Sequence, residues 1–205
     1  GGKVLLNFPS VGATENLLMA AVLAEGRTVI ENAAREPEIV DLVYFLNSMG
    51  AQITGEGTST IQIEGVGNLS PVEHTVIPDR IEAATYMAAL GMAGGQIVIE
   101  EARLEHMEML AEKLHEMGIE IGQVDGGISV CVSKRLRSVD LATLPYPGVA
   151  TDYKPFMVAL LSISEGVGIV TENIFAGRFR YIDELIRMGA DIRAEGHHAV
   201  VRGVE

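Results

Sequence analysis

Apolar and polar positions along the chain fall into three successive blocks with one internal order. In the first block, runs at 4–7, 28–31, 51–54 and 60–64 are short, β-branched or alternating, and predict strands. Ile39, Leu42, Val43 and Leu46 recur at helical spacing over 38–48, and Met107, Leu110, Leu114 and Met117 do the same over 105–116 in the second block. Methionines at that spacing read as core filler rather than ligands. The second block predicts strands at 74–77, 96–100, 120–123 and 128–133, with a hairpin turn at Asp125, Gly126 and Gly127. The third predicts strands at 138–141, 168–171, 191–194 and 199–202 and helices at 156–164 and 179–187. Each block ends its second helix on Met-Gly, at Met49 and Gly50, Met117 and Gly118, and Met188 and Gly189, where glycine suits a helix C-cap.

Every block therefore reads β-α-β-α-β-β, an α/β repeat with three units present. The helices of one such unit cover only part of its sheet. Burying the helices of related units against one another, with the sheets outside, would solve this, although the period alone does not dictate it.

The composition narrows the chemistry. A formal net charge of −13 argues against a nucleic-acid or anionic-membrane surface, while leaving room for an anionic small substrate met by a few arginines in a cleft. Cys131 is the one cysteine, so no internal disulfide or cysteine metal cluster is expected. It shares a strand face with Ser129 and Ser133 and reads as inert. No apolar run approaches a membrane span, and a reducing, cytoplasmic setting is the default expectation. His197 and His198 fall in a hairpin turn and are expected to be exposed; two adjacent histidines do not make a zinc site. The opening Gly1, Gly2 and Lys3, without an initiator methionine, reads as an interior piece of something longer.

One stretch carries candidate chemistry. Pro145, Pro147 and Gly148 stiffen the approach to Thr151 and Asp152, and Pro155 suits the first turn of the following helix. Asp152 there is a helix cap, or a carboxylate placed to accept a proton from a substrate hydroxyl, or both.

The motifs SVGAT at 10–14, ENAAREPEIVD at 31–41 and PDRIE at 78–82, with Arg178 and Phe179, resemble the UDP-N-acetylglucosamine 1-carboxyvinyltransferases, a family of enolpyruvyl transferases. The likeness runs over essentially all 205 residues in order. It implies an inside-out α/β barrel fold in which six units form two domains with substrates between them. This chain looks like the third, fourth and fifth units. In the intact enzyme residues 1–77 would belong to one lobe and 78–205 to the other. The three units in isolation are expected to associate as one pseudo-threefold domain.

The resemblance also implies transfer of the enolpyruvyl group of phosphoenolpyruvate to the 3-hydroxyl of UDP-N-acetylglucosamine, with release of phosphate, in peptidoglycan precursor synthesis. No cofactor and no metal is implied. Asp152 matches the carboxylate that meets the sugar hydroxyl. Ser10, Val11 and Gly12 match a loop holding the diphosphate; their amides precede a helix expected near Thr14. Phe8 and Pro9 stand before them, with Phe8 where many members carry Lys, and resemble another branch of the family. Asn173 and Ile174 match residues near the nucleotide sugar, and Arg178 an arginine of the anionic cleft, although Ala176 and Gly177 replace the usual Glu-Asn. Glu36 and Glu38 are placed near the nucleotide pocket, with capping and helix-dipole stabilisation as the plain alternative. Arg80, with Asp79, resembles a pair at the domain hinge, with a local ion pair as the plain alternative.

The matching catalytic loop and several cleft cations have no counterpart in this sequence, and Cys131 matches none of them. The chain by itself is therefore expected not to turn over, the missing units of a parent chain being its partners. Two alternatives stand beside this reading: 3-phosphoshikimate 1-carboxyvinyltransferase, and a non-catalytic α/β repeat module.

Overall fold

The first block realises the expected order in full: β1 (Lys3–Leu5), α1 (Val11–Ala21), β2 (Arg27–Glu31), α2 (Pro37–Ser48), β3 (Gln52–Thr54) and β4 (Thr60–Glu64). The computed structural model describes residues Gly1–Glu205, which divide into two compact units, Gly1–Ile77 and Pro78–Glu205. In the first unit the sheet order is β1-β2-β4-β3, with β1 and β2 parallel and the other pairs antiparallel. Alternation decides which face is covered. Thr28, Ile30, Ile61 and Ile63 point inward and are buried with Leu18, Ile39, Val43 and Leu46 of the two helices.

The second unit holds the other two blocks. One supplies α3 (Arg80–Ala93), β5 (Gly95–Glu100), α4 (Glu108–Met117), β6 (Glu120–Val124) and β7 (Gly127–Val132), with sheet order β5-β7-β6. The other supplies β8 (Leu141–Ala142), α5 (Lys154–Ile163), β9 (Val167–Thr171), α6 (Ile182–Arg187), β10 (Asp191–Glu195) and β11 (His198–Arg202), ordered β10-β11-β9-β8. Helices α3 and α5 pack on each other, and each is backed by the sheet of its own block. Met87, Val158, Leu160 and Leu161 of these helices are fully buried, whereas Val98, Ile169 and Val200 on the outer faces of the sheets are exposed. Helices inside and sheets outside is the inside-out arrangement that the resemblance implies.

The three Met-Gly closures behave alike. Gly50, Gly118 and Gly189 take φ of 102°, 105° and 106°, a left-handed turn that only glycine adopts without cost. His197 and His198 are exposed at the β10–β11 hairpin, as their position suggests.

Four expected elements shift. The strand at 74–77 is absent, so the second sheet has three strands. His74 there turns to the first unit's own helix: its Nε2 lies 3.1 Å from Asp41 and its ring 5.0 Å from that of Phe45. The strand expected at 138–141 begins only at Leu141, because the Asp140 carboxylate takes the Ile169 N–H (2.8 Å) that a strand carbonyl would take. The helix expected over 105–116 breaks into a 3₁₀ turn, Leu104–His106, followed by α4. The helix expected over 179–187 is shorter, Phe179 closing a turn into Ile182 instead of opening the helix.

Close packing of α3 on α5 depends on Gly91. A Cβ at that position would stand 2.6 Å from Leu160 Cδ2, so a side chain there forces the buried Leu160 to move. Replacing Gly91 by Val should therefore destabilise the chain by about 1–3 kcal/mol, the usual cost of overpacking a core. Urea unfolding of the two proteins measures it, and a gain in stability would contradict the close contact.

Candidate functional site

Apart from Arg80 at the start of α3, the candidate residues of both units occupy one topological position, the segments that follow the C-terminal ends of a parallel strand pair. In the first unit these are the segment from β1 to α1 and the segment from β2 to α2; in the second they are the segments from β8 to α5 and from β9 to α6. Such edges leave backbone and side chains free of the ladder. A side-chain amide braces the two loops in each unit: Asn32 Nδ2 donates to Leu6 O (2.9 Å), and Asn173 Nδ2 donates to Thr143 O (3.1 Å).

In the second unit the proline-bearing loop folds back on itself, with Leu144 N–H donating to Val149 O and Gly148 N–H to Pro145 O. It delivers Thr151 and Asp152 in a 3₁₀ turn, Thr151–Tyr153, that runs straight into α5. Asp152 makes no capping bond. Its Oδ1 accepts from Arg178 Nη2 at 2.8 Å, with the two side chains 50% and 42% exposed, while Oδ2 takes no hydrogen bond from the protein. The structure thus brings Asp152 and Arg178 together from two loops, and it sets aside the cap alternative for Asp152.

Beneath this pair lies a group absent from the sequence reading. Lys154 and Glu172 are both fully buried and paired at 2.7 Å. Glu172 Oε2 accepts from Lys154 Nζ and from Thr151 Oγ1 (2.7 Å); Oε1 accepts from Thr143 Oγ1 (2.8 Å), Ile174 N–H (2.7 Å) and Phe175 N–H (3.0 Å). Lys154 Nζ also donates to Arg178 O at 2.5 Å and lies 4.1 Å from the centre of the Phe179 ring. Burial pushes the Glu172 carboxyl up, but hydrogen bonds from Lys154, the Phe175 amide, Thr151 and Thr143 outweigh it and draw it down to about 2. Burial lowers the Lys154 ammonium against the pull of Glu172. Tyr181, with its hydroxyl buried, is raised by burial and by the Glu172 charge, so its phenol stays neutral.

The remaining candidates are placed as follows. Arg80 opens α3 and is buried; its Nη1 donates to Tyr153 OH at 3.0 Å, and its guanidinium lies 5.8 Å from the ring centres of both Tyr146 and Tyr153. Asp79 caps the same helix, accepting from Ile81 N–H (2.7 Å) and Glu82 N–H (3.2 Å). Ile174 lends its N–H to Glu172, and Asn173 its N–H to Thr143.

In the first unit α1 starts at Val11, three residues before the expected Thr14. Ser10 is its N-cap and accepts from Ala13 N–H at 3.3 Å. Val11 and Gly12 thereby place their amides in the first helical turn. Thr14 ties the two loops, donating to Ser10 O (2.8 Å) and accepting from Ala34 N–H (3.0 Å). Phe8 is exposed and Pro9 half-buried ahead of that turn. Glu36, buried, makes no side-chain cap; its Oε2 accepts from Arg35 N–H at 2.9 Å. Glu38 lies in the first turn of α2, where a carboxylate complements the helix dipole.

Replacing Glu172 by Gln leaves Lys154 buried without its counter-charge and should cost about 3–5 kcal/mol near neutral pH. The depressed carboxyl gives stability that is complete above its unfolded value of 4.5 and is lost as pH falls toward about 2. Denaturant unfolding from pH 6 to pH 2 (about 2 being the folded value) should show a shallower acid limb in Glu172→Gln than in the unaltered chain.

The family described as EPSP synthase (3-phosphoshikimate 1-carboxyvinyltransferase) matches residues 2–205. UDP-N-acetylglucosamine 1-carboxyvinyltransferase 1 of Symbiobacterium thermophilum is 54% identical over 204 residues, covering 100% of this chain and 46% of the relative. UDP-N-acetylglucosamine 1-carboxyvinyltransferase 2 of Caldanaerobacter subterraneus subsp. tengcongensis is 55% identical over 206 residues, covering 100% and 49%. The chain spans about half the length of the curated relatives it matches. In fold it is similar to the crystal structure of the enolpyruvyl transferase NikO from Streptomyces tendae, with a TM-score of 0.88 at 24% identity over 98% of this chain and 51% of that one. From its repeated inside-out units and a match that runs nearly end to end, the chain belongs to the EPSP synthase (3-phosphoshikimate 1-carboxyvinyltransferase) family, its sequence matching the UDP-N-acetylglucosamine 1-carboxyvinyltransferases within it.

Proposed function

We propose that this chain supplies part of the substrate site of an enolpyruvyl transferase that acts on UDP-N-acetylglucosamine and phosphoenolpyruvate. The observation that carries the reading is the Asp152–Arg178 pair: a half-exposed carboxylate held by one oxygen, with the other left to accept. Identity above 50% to UDP-N-acetylglucosamine 1-carboxyvinyltransferases across the whole chain supports the choice of substrates.

In this reading Asp152 Oδ2 accepts the proton of the sugar 3-hydroxyl as the hydroxyl oxygen bonds to C2 of phosphoenolpyruvate and C3 takes a proton from an acid supplied by the rest of the longer enzyme. Loss of a proton from C3 then restores the double bond as the C2–O bond to phosphate breaks, giving the enolpyruvyl ether and free phosphate. Arg178 directs the carboxylate, and offers positive charge to an anionic substrate in a chain whose overall charge is strongly negative. The first-turn amides of Val11 and Gly12, capped by Ser10, serve the diphosphate in the same reading, with Phe8 and Pro9 beside them. Glu36, Glu38, Asn173 and Ile174 border the nucleotide, and Arg80 belongs to the support of the Asp152 turn through Tyr153. Residues 1–77 and 78–205 would fall in different lobes of a longer enzyme.

The test is phosphate release by a full-length polypeptide carrying this chain. With phosphoenolpyruvate and UDP-N-acetylglucosamine it should turn over, and Asp152→Asn should lower kcat by about 10²–10⁴-fold, the range for a lost general base. Full activity in Asp152→Asn would remove the assignment of the base. Turnover with shikimate 3-phosphate in place of the nucleotide sugar would return the substrate to the one named in the family description.

A further inference from the structure

The contacts running from Glu172 to Asp152 have a fixed polarity. An ionised carboxylate has no proton to give, so Thr151 Oγ1 donates to Glu172 Oε2 at 2.7 Å. That leaves the hydroxyl lone pairs to accept from Arg178 Nη1 at 3.1 Å, and Arg178 Nη2 in turn donates to Asp152 Oδ1 at 2.8 Å. Lys154 closes the arrangement from below, since one ammonium donates both to Glu172 and to the backbone carbonyl of Arg178. Arg178 is thus held at two places, its main chain by Lys154 and its guanidinium by Thr151, and both holds end on the same buried carboxylate.

We propose that Lys154, Glu172 and Thr151 are positioning residues, the buried pair acting through the Thr151 hydroxyl to fix the Arg178 guanidinium and, through it, the orientation of the Asp152 carboxylate. The functional meaning rests on reading Asp152 and Arg178 as substrate-site residues; the physical claim concerns only side chains of this chain. A half-exposed Asp–Arg pair is weak and screened by solvent, and does not by itself hold two long side chains in one geometry. A charge-assisted chain anchored in a fully buried ion pair does, because each donor is already committed in one direction. A carboxylate with five donors and no exposure is moreover far better satisfied than packing alone requires. Its donors come from the loop after β8, the 3₁₀ turn, the start of α5 and the loop after β9, so it joins every segment that contributes to the pair above.

The experiment uses the ¹⁵N-labelled 205-residue chain and the guanidinium signals of Arg178, assigned by their disappearance in Arg178→Lys. At low temperature and mildly acidic pH the unaltered chain should show separate Arg178 Nη–H signals from hindered rotation. Thr151→Val keeps the shape of the side chain and removes the hydroxyl; it should merge or abolish those signals while the backbone amide spectrum is retained, and Thr151→Ser should restore them. Replacing the pair together, Lys154→Met with Glu172→Gln, leaves no buried charge behind and should abolish the signals too, giving a second reading if Thr151→Val does not fold. Separate Arg178 signals that persist in a folded Thr151→Val chain, or that are missing from the unaltered chain, overturn the proposal. No substrate takes part, so this outcome is independent of the phosphate-release test: an ordered Arg178 with an inactive enzyme counts against the substrate reading, and a mobile Arg178 with an active enzyme counts against the positioning role.

Discussion

A lysine and a glutamate with no solvent contact are buried together in the second unit, and the segments around them are arranged to satisfy both. Taking two charges out of water costs several kcal/mol per ion unless partners replace the lost hydration. Here the replacement is drawn from four separate stretches of chain, and each stretch is fixed as a result. The loop after β9 wraps its amides onto Glu172, the 3₁₀ turn offers Thr151, and the loop after β8 offers Thr143. The pair therefore sets the shape of the rim that carries Asp152 and Arg178, a rim that the apolar core below would leave free to vary.

Two carboxylates in this corner have opposite fates. Glu172 is saturated and held ionised far below neutrality, so it neither gives nor takes a proton in ordinary conditions. Asp152 is engaged through one oxygen and half open to solvent. The first unit reaches an analogous loop pairing with neutral groups, Thr14 tying the Ser10 carbonyl to the Ala34 amide and Asn32 bracing Leu6.

Much of the architecture was legible in the residues. Period-2 and helical spacing located the blocks, and the Met-Gly closures marked the helix ends because a left-handed turn leaves glycine with little competition. The strand expected at 74–77 was misplaced because alternation reports an extended, one-sided segment and not whether a neighbouring strand exists to pair with it. Asp152 and Arg178 were legible as types, through a stiff loop and a resemblance, but their contact spans 26 positions and follows only from folding. Lys154 and Glu172 were not legible at all. A lysine beside a proline and a glutamate after a strand look like solvated surface charges, and burial depends on a partner elsewhere in the sequence, which no local pattern encodes.

The repeats number three, but the hydrophobic clusters number two. Residues from Leu18 to Ile63 form one, and residues from Ala83 to Val201 form the other, with the second and third blocks interleaved in it through Gly91 and Leu160. What was copied along the chain and what holds together as a body are therefore different lengths of polypeptide. Severing the backbone between Ile77 and Pro78 leaves both clusters whole, whereas severing it near Arg135, at the seam between two copies, divides one of them.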